Sequence, residues 1–179
     1  MQVAPYFSRS LKYIAVLALF FLGAAAARAD QPGAGQDVAG WWVTADGKAA
    51  VVIAPCDGQL CGSIEWLRQP LDSAGKPKTD IHNPDASLRP RLLCGLTILG
   101  NFTPDGDGGW KGGWIYDPAS GNTYKSIMHV AADGRLHVRG YIGIPMLGRS
   151  EIMTRPATQL PHCVVGSVAA QPAAAAPAP

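Results

Sequence analysis

The chain has 179 residues, a formal net charge of +2, 47% hydrophobic and 16% charged side chains. That is the size of one domain with tails. It is too apolar to be disordered throughout, and its charge balance gives no reason to expect a nucleic-acid partner.

The chain opens as a targeting segment. Arg9 and Lys12 give it a positive start, Ile14 to Ala27 is an uncharged apolar stretch, and Ala27-Arg28-Ala29 offers a small-x-small cleavage site. Residues 1–29 therefore read as a signal peptide cut between Ala29 and Asp30, with an uncleaved anchor as the alternative. No Cys follows the apolar run, so a lipid anchor is not expected. Loss of Arg9, Lys12 and Arg28 leaves 12 basic and 13 acidic side chains, a net charge of −1. No later run is long and apolar enough to span a bilayer, so the mature chain is expected to have no transmembrane segment. The expected destination is the periplasm or the medium.

Between Gly40 and Arg155 an alternation of period two dominates. Trp41 to Thr44 is followed by the turn signal Ala45-Asp46-Gly47-Lys48. Ala49 to Ala54 is a short apolar run stopped by Pro55, and Leu60 to Leu67 comes next. A long polar stretch, residues 68–90, interrupts the pattern. Leu92, Cys94, Leu96 and Ile98 then alternate on one face. Trp110, Gly112, Trp114 and Tyr116 alternate before the turn 117–121. Tyr124 to Val130 ends at Ala131-Ala132-Asp133-Gly134. Leu136, Val138 and Gly140 follow, and the last run is about Leu147 to Arg155. Eight strands joined by short turns predict an all-β domain. An up-and-down antiparallel barrel is favoured, because closure removes exposed edges. The domain is expected to cover residues 30–168, with its core at about 40–155. Residues 169–179, rich in Ala and Pro, read as a disordered tail.

Cys56, Cys61, Cys94 and Cys163 are disulfide candidates in an exported chain. Cys56 and Cys61 flank a turn-like stretch, and a hairpin there would bring the two sulfurs together. The expected pairs are Cys56–Cys61 and Cys94–Cys163, the second pinning the C-terminal segment to the body. Zinc sites usually show tighter ligand pairs, and a redox pair has two intervening residues. No metal is expected.

A set of short motifs in this order resembles the exported bacterial family catalogued as domain of unknown function 2147. They are Gly40-Trp41-Trp42, Ile53-Ala54-Pro55-Cys56, Leu60-Cys61-Gly62, Asn83-Pro84, Gly95-Leu96, Trp110 with Gly113, Ile115-Tyr116-Asp117-Pro118, Gly121 with Tyr124, and Gly148-Arg149 with Thr154-Arg155. The family usually has an aromatic residue before the Thr-Arg, where this chain has Met153. The resemblance implies a small lipocalin-like barrel and supplies no catalytic residues. Lipocalins pair a Gly-x-Trp on the first strand with a basic residue near the last. Gly40, Trp42 and Arg155 look like that structural set, with the Arg stacked on the indole.

Two groups of residues could carry function. Asp80, His82 and Asn83, with Asp85, lie in the long loop and could supply metal ligands or acid–base groups. Asn83-Pro84-Asp85 is also plain turn chemistry, and a capping loop is the simpler reading. Trp110, Trp114, Tyr116 and Tyr124 could line an apolar cavity if they point inward, or could simply fill the barrel. Asp105-Gly106-Asp107-Gly108 lacks the later acidic ligand of a calcium loop and reads as a turn. His129 and His137 fall opposite the apolar face. No Ser has a nucleophile-elbow setting, so neither catalytic residues nor a cofactor is expected. The favoured function is non-enzymatic binding of a small apolar or amphipathic molecule. The alternative is a filled barrel acting as a structural or protein-interaction component of the bacterial envelope. An enzyme using Asp80 and His82 ranks last.

Overall fold

The computed structural model describes residues 38–163. The expected signal peptide and the Ala/Pro tail lie outside the described residues. Eight strands form one antiparallel sheet in sequence order. They are β1 (Gly40–Val43), β2 (Ala49–Cys56), β3 (Gln59–Leu67), β4 (Thr97–Pro104), β5 (Trp110–Asp117), β6 (Asn122–Val130), β7 (Leu136–Tyr141) and β8 (Arg149–Met153). Among the described residues the helical elements are two 3₁₀ turns, Ala86–Leu88 and Pro145–Leu147. Paired backbone hydrogen bonds between Val43 and Thr154, at 2.8 and 3.0 Å, tie the last strand back to the first. The sheet is thus a nearly closed up-and-down barrel, as the alternation predicts.

Two strand boundaries differ from the sequence reading. Pro55 does not stop β2, which runs on to Cys56. Asp57 and Gly58, with φ of 48° and 78°, make a two-residue hairpin turn closed by Cys56 and Gln59. In that register the nitrogen of Pro55 points away from β3, toward a side where β1 has already ended, so no ladder bond is lost. The second difference is larger. Leu92 to Leu96 are not strand, and β4 starts at Thr97. Their backbone groups bond partly into the long loop, Leu93 N–H to Lys78 at 3.0 Å, and partly to β3, Gly95 N–H to Ile64 at 2.7 Å. An apolar alternation had here been produced by a loop that packs on the barrel.

The disulfides form as expected. Cys56–Cys61 staples the β2–β3 hairpin, with the two residues diagonal rather than directly opposite. Cys94–Cys163 links the end of the long loop to the C-terminal segment. That segment is also held where Cys163 N–H donates to Glu65 and where His162 meets the Trp41 ring edge-on at 4.8 Å.

One end of the barrel is sealed. Trp42 is fully buried, its indole N–H donates to the Val38 carbonyl at 2.7 Å, and the Arg155 guanidinium lies 3.8 Å over its ring. Arg155 also donates to the Ala39 carbonyl at 2.8 Å. Gly40 is required beneath it: its φ is +103°, and a Cβ there would meet the guanidinium. Replacing Arg155 with Ala is expected to lower stability by about 1 kcal/mol through the lost cation–π contact. A urea midpoint equal to that of the parent protein would refute this role.

Candidate functional site

The inner face of the sheet changes character along the barrel axis. Near the sealed end Trp42, Ile53, Leu60, Leu99, Phe102, Met128 and Leu136 are buried against one another and fill the lumen. Glycines allow this density: a Cβ at Gly113 would meet the Phe102 ring at 2.5 Å. Toward the other end the lumen opens into a cavity of about 1560 Å³. Its wall is largely apolar, with Ala49, Val51, Ile64, Leu67, Leu93, Ile98, Ile115, Tyr124, Val138 and Met153. Its rim carries Lys48, Arg68, Lys78 and Arg149, with Asp46, Asp72, Asp117 and Glu151. An eight-stranded barrel is just wide enough to be filled or to hold one small molecule. This one is filled at one end and hollow at the other.

The aromatic residues named from the sequence divide between several places. Tyr124 lines the cavity, directly opposite Ile115 on the same face. Trp114 does not line it. It lies on the other face, over Gly100, where a Cβ would be 2.6 Å from the indole. Its buried indole N–H has no hydrogen-bond partner among the described residues. Trp110 is near the sealed end, beside Asp105 and Met128. The inward orientation considered for Trp114 and Tyr116 is therefore corrected, while Trp110 lies opposite Met128 on the inner face, at the filled end rather than on the cavity. The cause is a bulge between Trp110 and Gly113, which changes the alternation so that Gly113 and Ile115 take the inner face.

Tyr116 reaches the rim, and its hydroxyl organises the loop. Asp80 is fully buried. Its Oδ1 accepts from Tyr116 Oη at 2.6 Å, and its Oδ2 accepts from Asn83 Nδ2 at 2.8 Å. Arg91 Nε and Nη2 reach the same Oδ2, each at 2.8 Å. The Arg91 guanidinium also sits 5.3 Å from the centroid of the Tyr116 ring. Burial first, and then the Asp80 carboxylate, push the Tyr116 hydroxyl above its ordinary pKa, so it remains a neutral donor. Asn83 further accepts from Asp85 N–H at 2.9 Å, while Arg89 donates to its carbonyl at 2.8 Å. Asp80 and Asn83 thus spend their polar groups holding the loop to β5. Gly121 completes the seat, since a Cβ there would collide with the His82 carbonyl.

His82 is exposed and takes no part in this network, although it lies at the cavity mouth with Ile81. Asp80 and His82 do not form a pair. Arg91 and Tyr116 are the partners that sequence reasoning missed. They lie 11 and 36 residues from Asp80, beyond any local motif. Among the described residues no cluster of three or more His, Cys, Asp or Glu could hold a metal ion. The Asp105 turn behaves as a turn, with its carboxylate accepting from the N–H groups of Asp107 and Gly109. His129 and His137 stack on the outside, 5.1 Å apart.

Comparison with known proteins agrees with this architecture. A family described as "Uncharacterized protein conserved in bacteria (DUF2147)" matches residues 40–155. A solved structure described as "Protein HP1028 from the human pathogen Helicobacter pylori belongs to the lipocalin family" is similar, with a TM-score of 0.57 and 23% identity. The match covers 68% of this chain and 84% of that one, and it shows the fold alone. No curated protein matches the chain.

Proposed function

We propose that this chain, which belongs to the DUF2147 family of uncharacterised bacterial proteins, is an exported carrier that holds a small amphipathic molecule in its barrel. The observation that carries the reading is the hollow half of the lumen: an apolar wall, a charged rim and about 1560 Å³ of space. A cavity of that kind removes an apolar body from water while leaving a polar head at the rim. The rim cations Arg68, Lys78 and Arg149, which have no carboxylate partner among the described residues, suit an anionic or strongly polar head. Two disulfides support folding in an oxidising compartment. The buried Asp80 carboxylate is engaged by Tyr116, Asn83 and Arg91, which supports a structural role for it rather than turnover.

Titration with the amphipathic dye 1-anilinonaphthalene-8-sulfonate tests this reading. The parent protein is expected to bind it saturably with a blue-shifted emission. Ala49→Trp, which projects an indole into the cavity, is expected to weaken binding at least about tenfold, the effect of losing roughly 1.4 kcal/mol. Trp114→Phe is expected to leave affinity within about twofold, because Trp114 lies outside the cavity. Equal affinity for the parent and Ala49→Trp proteins would place the dye elsewhere and refute the proposal.

A further inference from the structure

We propose that the open end of the barrel docks on a lipid bilayer, with the β7–β8 loop as the part that enters it. This adds a surface to the binding reading above, and its test separates the two. Four large apolar side chains stand on that loop. Ile142 is 76% exposed, Ile144 54%, Met146 81% and Leu147 78%. Single exposed apolar residues are ordinary, but a contiguous cluster marks a contact surface. The loop is also held in shape. Arg139 donates Nε to the Pro145 carbonyl, Nη2 to Met146 at 3.0 Å and Nη1 to Ser150 Oγ at 3.0 Å. The backbone polar groups of the tip are thus partly satisfied from below, and the aliphatic groups face outward.

Three observations select a bilayer as the occupant. Ile142 and Leu147 also line the cavity, so the exposed patch runs without a break into the apolar wall. Across the opening Ile81, 62% exposed, forms a second apolar prong on the long loop. A flat lipid surface can meet both prongs at once, and a ligand could then pass between lipid and cavity without crossing water. The loop is flanked by Arg139 at its base and Arg149 after it, and residues 139–150 contain no acid. Lys78 and Arg149 have no carboxylate partner among the described residues. Of the rim acids, Asp46 is paired with Lys48, and Asp72, Asp117 and Glu151 each accept backbone N–H groups. Tyr141, at the base of the loop, has the amphipathic character favoured at a headgroup boundary. An aliphatic tip with the unpaired cations Lys78 and Arg149 beside it is a combination suited to anionic interfaces.

Flotation with vesicles of phosphatidylethanolamine and phosphatidylglycerol tests this. The parent chain is compared with Ile144→Asp/Met146→Asp, two residues that do not line the cavity, both produced with the same N-terminal segment so that its contribution cancels. The double variant is expected to bind vesicles at least about tenfold more weakly while keeping the parent's dye affinity and circular dichroism. As a second readout, Met146→Trp emission is expected to shift to the blue on adding vesicles. Equal vesicle binding by parent and double variant, or no blue shift, would overturn the proposal; a protein would then be the partner of this loop. Lost dye binding in the parent, with vesicle binding intact, would instead remove the carrier reading and leave the docking surface standing.

Discussion

Replacing Asp80 with Ala is expected to destabilise the protein by about 3–5 kcal/mol and to free the long loop. The magnitude follows from what is left behind. Asp80 is fully buried, and its partner Arg91 has a side chain only 12% exposed. Without the carboxylate the guanidinium keeps its charge in a place with little water. Tyr116 Oη and Asn83 Nδ2 lose their acceptor as well. Breaking such a pair costs more than the pair itself contributes, because one charge stays buried and uncompensated. The loss should be visible in two ways. Urea unfolding gives the free energy, and trypsin should cut sooner at Lys78, which lies in the loop that Asp80 holds. Asp80→Asn, which keeps the shape and one acceptor, is expected to fall between the parent and Asp80→Ala. A cost below about 1 kcal/mol for the Ala variant would show that the network does not anchor the loop.

The second large effect concerns the Cys94–Cys163 bond. Its ends are 69 residues apart, against five for Cys56–Cys61. On the chain-entropy account the longer closure restricts the unfolded chain more, by about 4 kcal/mol against about 2 kcal/mol. Cys94→Ser/Cys163→Ser is therefore expected to cost roughly twice as much as Cys56→Ser/Cys61→Ser in urea unfolding. It should also raise amide exchange in the segment around Cys163, whose N–H bonds to Glu65. Equal costs for the two double variants would count against the entropic account here. The hairpin bond would then contribute through the folded state instead.

Much of the barrel was legible because its causes are local. Asp57-Gly58 and Asp133-Gly134 carry the residues that tight turns require, and the runs between turns alternate with period two. The start of β4 was not legible, because Leu92, Cys94 and Leu96 alternate as a strand does while packing as a loop. The face of β5 was harder still. Tyr116 and Trp114 are buried on the outer face, and Ile115 faces the cavity. When both faces of a strand are covered, alternation alone does not say which is inside. The bulge beside Gly113 removes even that guide. Asp80 and Asn83 stood out in the sequence as possible ligands, and their types were informative. They are polar groups in a loop that must be pinned down, and they bond to each other and to Tyr116. Their remaining partner, Arg91, is brought to them only by the fold.

The central claim is that the hollow half of the lumen receives an amphipathic molecule. Methyl-resolved NMR during titration with dodecanoate tests it most directly. Shifts should concentrate on Ile64, Ile98, Ile115, Val138 and Met153, which line the cavity. Ile53, packed near the sealed end, should stay unmoved. Shifts confined to Ile142, Ile144 and Met146, or no shifts at saturating dodecanoate, would contradict the claim and leave the barrel a scaffold for its surface.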